Sequence, residues 1–232
     1  MVINPAKPKQ LLVLLGIFSI LLLLFLFSFV GSSLSLRLVG VPKINGTVYF
    51  ISRMLYWLAL LLTWVYAIKI EKQKMLIWDE QKYSVGFYLV SIVLIFLALF
   101  AGLILIRVLF SAVGLSPKSS TLSELVEIFR ANKFLLFFTP ITAGIVEELI
   151  FRGYLQPRME IFLKKPYLAI IISSLLFGLL HYKYGTLFNM VGPFFIGSVF
   201  AYHYWKFRNI GMLIICHFLW DLIAIMILVR NT

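Results

Sequence analysis

Apolar residues come in runs of about twenty, separated by short polar links, along nearly the whole chain. Wound as a helix, a run of that length crosses the hydrocarbon layer of a bilayer. The first run is Leu11–Val30, preceded by Lys7 and Lys9. A basic start before a leucine-rich stretch can be a cleaved signal, but this run is longer than a signal core, which favours an uncleaved first span. The second run is about Val48–Ile68, with Arg53 near one end, where it can snorkel to the headgroups. A polar link over Lys69–Lys82 leads to the third run, Val85–Ile106.

The pattern changes between Gly114 and Lys133. Pro117 and Ser119–Thr121 end the apolar run, and Leu122, Leu125, Ile128 and Phe129 then recur at helical spacing with Glu124, Glu127 and Arg130 on the other face. This predicts a short amphipathic helix at the membrane interface. A fourth span begins near Phe134, and the fifth is about Tyr167–His181. The sixth is Thr186–Tyr204, kinked or broken near Gly192–Pro193, and the seventh is Ile210–Val229. The expected fold is an all-α integral membrane protein: a bundle of about seven transmembrane helices plus a short amphipathic interfacial helix. No internal repeat or low-complexity linker is visible.

Composition agrees with this reading. Of 232 residues, 62% are hydrophobic and only 13% charged, more apolar surface than a soluble domain of this size can hide. The net charge of +12 could suggest nucleic acid, but the basic residues sit in short clusters between apolar runs, as anchors to lipid headgroups do. The bilayer is therefore an expected partner and nucleic acid is not. Cys216, the only cysteine, excludes an internal disulfide and reads as a small core residue. The expected location is an integral, multi-pass one, the cell membrane if the source is prokaryotic.

Ionisable residues inside the apolar runs are the most informative feature. The fourth, fifth and seventh spans hold Glu147, Glu148, Arg152, His181, His217 and Asp221. A charge at mid-bilayer costs about 2.5–3.5 kcal/mol even on insertion scales, so so many in three spans need a reason. Glu148 and Arg152 are four apart and can pair on one helical face; His217 and Asp221 repeat the offset, as do Phe177 and His181. Glu147 is about 100° round from Glu148 and has no evident local partner. Structural glue between helices is the plain alternative for any one of these groups. It is a poor account of them all.

Glu147-Glu148-x-x-x-Arg152 followed by Gly153-x-Leu155, then Phe177-x-x-x-His181, then His217-x-x-x-Asp221, resembles the CPBP family, the CAAX proteases and bacteriocin-processing enzymes. The resemblance covers roughly residues 131–230, which implies a catalytic core over 131–232 and leaves 1–130 as N-terminal spans with no family match. It implies an α-helical membrane protease in which Glu147 and His181 activate water. Glu148 and Arg152 would organise the site, while His217 and Asp221 would bind the oxyanion. Many relatives have asparagine at the last position, so Asp221 departs from that version.

The residues fit such chemistry on their own terms. Peptide hydrolysis needs a base for water, a donor for the oxyanion and an acid for the leaving amine. Glu147 can be the base if Arg152 is occupied by Glu148. His181 could share the proton and deliver it to the amine, and His217 can donate to the oxyanion. An ionised Asp221 cannot donate; it would orient His217, or act while protonated. A zinc site is the mechanistic rival, but no His-Glu-x-x-His helix is present and Arg152 would repel a cation, so no metal or other cofactor is expected. The expected partner is a peptide or protein substrate at the membrane, and the resemblance offers two classes, prenylated CAAX proteins and leader peptides. The alternative function is a non-catalytic membrane scaffold or regulator of a partner protein, and a proton-coupled transporter is a more distant third.

Overall fold

The computed structural model describes residues 10–41, 43–116 and 118–231, so Lys7, Lys9 and Pro117 of the sequence reading lie outside the described residues. Its helices, in chain order, are α1 Gln10–Val39, α2 Gly46–Ile70, α3 Val85–Ala112, α4 Ser120–Ala131, α5 Lys133–Leu163, α6 Pro166–Leu180, α7 Phe188–Phe207 and α8 Ile210–Asn231. Six are long and apolar enough to cross a membrane. The amphipathic α4 is too short and polar, and α7, with 20 residues, is diluted by Asn189, Tyr202, His203, Tyr204 and Lys206. The protein is a multi-pass integral membrane protein, with α7 the less apolar seventh long helix.

The helix starts follow from local chemistry. Asn45, Ser84, Ser119 and Asn132 each accept a hydrogen bond from a backbone N–H of the first turn of α2, α3, α4 and α5. Asn209 does the same for Met212 at the start of α8. The kink expected in the sixth span does not interrupt it: α7 begins only at Phe188, so Pro193 falls in its second turn and removes one bond near a helix end. The irregular chain comes earlier, as a 3₁₀ turn at Tyr182–Tyr184.

Helix α5 is the axis of the bundle. In its apolar window 61% of the residues are buried, against 17–33% in the other candidate spans, whose outer faces are left to lipid. Val146, Ile150, Tyr154 and Leu155 of α5 pack with Val13, Ile17 and Leu24 of α1 and Ala59 of α2. A second cluster joins α3, α7 and α8 around Leu99, Phe200, Leu213 and the fully buried Cys216. Helix α4 lies across the end of the bundle, its Leu125, Ile128 and Phe129 set on Tyr49, Leu135 and Leu136. Its outer face carries an exposed Arg130–Glu127 pair at 2.9 Å.

The link after α2 is more ordered than its polarity suggests. Buried Glu71 pairs with Arg158 of α5 and accepts a hydrogen bond from the Tyr154 hydroxyl at 2.6 Å. Arg158 also donates to the carbonyls of Lys74 and Met75. Further along, Glu80 accepts from the Tyr204 hydroxyl and from the Ile210 amide, the first residue of α8. The link thus straps α5, α7 and α8 together at one end of the bundle.

Candidate active site

Helix α5 is not uniformly α-helical. Residues Ala143–Glu147 and Leu149–Leu155 form π-helical turns on either side of Glu148. Such widened turns are frequent at functional sites because they re-aim side chains within a continuous helix. The helix continues beyond Pro157 to Leu163, which puts Glu147 near its middle rather than at its end. A helix ending at Phe151 would have left Glu147 and His181 at different depths.

At the centre is Glu148, fully buried. Its Oε1 accepts from Arg152 Nη1 at 2.8 Å and from His217 Nδ1 at 2.7 Å. The Glu148–Arg152 pairing is the one the four-residue spacing predicts. The bond to His217, from α8, is not visible in any local spacing. Arg152 is held further by the Gly197 carbonyl of α7 at 3.1 Å and lies over the Phe177 ring at 4.6 Å. Residue 197 has to be small, since a Cβ there would stand 3.2 Å from Arg152 Nη2. Gly144 has the same requirement against α8: a Cβ would meet the Ile214 carbonyl at 2.8 Å.

With Nδ1 facing a carboxylate, His217 turns Nε2 to the opposite side. There it is 3.6 Å from Asp221 Oδ2 and 4.0 Å from Glu147 Oε2. Those separations exceed a direct hydrogen bond and set Nε2 near both carboxylates, at 3.6 and 4.0 Å. Asp221 therefore does not hold His217 through Nδ1; Glu148 does.

His181 closes α6. Its Nδ1 lies 2.8 Å from the Phe177 carbonyl. A carbonyl can only accept, so Nδ1 carries a proton, and in the neutral ring Nε2 keeps its lone pair. The buried Phe177 ring contacts both histidines, at 4.9 Å from His181 and 6.1 Å from His217 between ring centres. Glu147 and His181 line one cavity of about 150 Å³, walled by α1, α2, α4 and the turn after α6. Arg53, Tyr49, Tyr56 and Tyr184 line it too. Arg53 is thus turned into the cavity rather than snorkelling to the interface.

A family model described as type II CAAX prenyl endopeptidase, Rce1-like, matches residues 130–223. Over that stretch, which carries all three motifs, the match supports the CPBP family of CAAX proteases. All the residues singled out in α5, α6 and α8 lie within the matched stretch, whereas Arg53 and the strap after α2 lie before it. No curated protein and no solved structure matches the chain. The matched family supports a CAAX-type intramembrane endopeptidase and implies a membrane-associated protein as substrate.

Proposed function

We propose that this protein hydrolyses a peptide bond near the end of a membrane-associated substrate with a water molecule activated by Glu147 and His181, without a metal ion. The observation that carries the reading is the division of labour between two neighbouring glutamates. Glu148 is hydrogen-bonded twice over, to Arg152 and to His217, whereas Glu147 faces the cavity with His217 no nearer than 4.0 Å. One carboxylate is structural and the other is free to act as a base.

In this mechanism Glu147 removes a proton from water as its oxygen attacks the scissile carbonyl carbon. The oxyanion that forms is stabilised by the Nε2–H of His217, pre-aimed because Nδ1 is tied to Glu148. His181 Nε2 takes up the proton and returns it to the leaving nitrogen as the C–N bond breaks. Asp221 stands on the oxyanion side of His217 and contributes there while protonated. Glu148 and Arg152 are positioning residues that fix His217 and α5. The residues themselves support a metal-free route: a cation at Glu148 would face Arg152.

The test compares the membrane peptides of cells carrying the wild-type protein or Glu147→Gln. A peptide that accumulates uncut only with the variant supports the reading and identifies the substrate. With that substrate and purified protein, cleavage should persist in EDTA; activity lost to the chelator and restored by zinc contradicts the metal-free route.

A further inference from the structure

The two fully buried arginines are satisfied. Arg152 has Glu148 and the Gly197 carbonyl, and Arg158 has Glu71 with two backbone carbonyls. Arg53 differs. Its Nε is shut off from solvent without a hydrogen-bond partner, and the described residues give it no ion pair. What it has is aromatic: the guanidinium carbon lies 4.6 Å from the Tyr56 ring centre and 5.0 Å from that of Tyr49. Cation–π contacts are individually weak beside the cost of desolvating a charge. They hold the guanidinium in place without neutralising it, and Glu147 acts on it only electrostatically, across the cavity.

The place it is held is the cavity that also contains Glu147 and His181. We propose that Arg53 receives the C-terminal carboxylate of the substrate peptide, fixing the distance from the chain end at which the protein cuts. The proposal rests on the protease reading and adds a residue outside the matched family stretch. A guanidinium flanked by aromatic rings offers a planar fork that matches a carboxylate bidentately. A chain terminus suits a cavity of about 150 Å³ better than a mid-chain acidic side chain does, because the peptide leaves the anion in one direction only. Lys183 on the same wall adds positive charge around the site.

The test measures binding to full-length Glu147→Gln protein in detergent, so that turnover does not intrude. The probe is a fluorescent peptide of a farnesylated cysteine followed by three apolar residues, made as the free acid and as the C-terminal amide. The acid should bind at least about tenfold more tightly. Adding Arg53→Gln should abolish that preference and leave amide binding unchanged, while Arg53→Lys should keep part of it. Equal binding of acid and amide, or a preference that survives Arg53→Gln, overturns the proposal. So does an amide ending in glutamate that binds like the free acid, which would assign Arg53 to acidic side chains. Loss of the preference on adding phosphatidylglycerol to the micelles would assign it to lipid phosphate and overturn the proposal equally. If Arg53→Gln does not fold, the acid-to-amide ratio in the parent and in Arg53→Lys still decides. Binding is read without cleavage, so failure of the protease reading and failure of this one give different results.

Discussion

His217 is held by Glu148, 2.7 Å from its Nδ1, while Asp221, one turn along α8, stands 3.6 Å from its Nε2. The bond joins α5 to α8 across 69 residues of sequence and leaves Nε2 on the side of Glu147, 4.0 Å from its Oε2. It also makes Glu148 an anchor shared by Arg152 and His217, so a change at any of the three disturbs the other two.

Glu148→Gln and Arg152→Ala should therefore both lower stability. Removing one partner of a buried ion pair leaves an uncompensated charge, a loss of about 3–5 kcal/mol. The thermal midpoint of the purified protein checks this. A midpoint equal to wild type for Arg152→Ala would refute the shared anchor.

Asp221 should tolerate asparagine. Glu148 already orients His217, so what remains for residue 221 is the Nε2 side of that ring, where an asparagine N–H can donate. Asp221→Asn is expected to keep at least about a tenth of the wild-type rate, a barrier change below about 1.4 kcal/mol. Asp221→Ala should fall further, towards the roughly hundredfold loss seen on removing an oxyanion donor. Initial rates at matched folded concentration decide; asparagine as damaging as alanine would mean that negative charge is what counts.

Glu71→Gln should separate stability from chemistry. It breaks the buried pair with Arg158 and weakens the strap between α2 and α5, so the thermal midpoint should drop markedly. The cleavage rate per folded molecule should stay within about threefold of wild type, a change of less than about 1 kcal/mol in the barrier. A rate that falls with an unchanged midpoint would place Glu71 in the chemistry instead.

Gly144→Ala tests the packing that brings α8 to α5. The added methyl would collide with the Ile214 carbonyl, three residues before His217. Overpacking of this kind costs about 1–3 kcal/mol, and a displaced His217 should lower the rate per folded molecule as well. A variant with both quantities unchanged would show that the helices can separate without consequence.

Much of this arrangement is legible in the sequence because it is local. The Glu148–Arg152 pair, the shared face of His217 and Asp221 and the amphipathic α4 all follow from helical periodicity. The apolar runs likewise outline the spans, since lipid imposes their length. What the sequence hides is of two kinds. Contacts between distant segments leave no periodic trace: the Glu148–His217 bond, the Glu71–Arg158 pair in a link that reads as polar surface, and the turning of Arg53 inwards. Departures from regular geometry are hidden as well. The π-helical turns around Glu148 change the direction in which Glu147 points, and no spacing argument based on an ideal helix anticipates them.

The central claim is that Glu147 is the base that activates water. It is tested most directly by the initial cleavage rate of purified Glu147→Gln protein on the substrate identified in cells, at folded concentration matched to wild type. Glutamine keeps the size of the side chain and removes its basicity, so the rate should fall about a hundredfold to ten-thousandfold with the thermal midpoint nearly unchanged. A variant that folds and cleaves within about tenfold of wild type, a barrier change of only about 1.4 kcal/mol, would contradict the account.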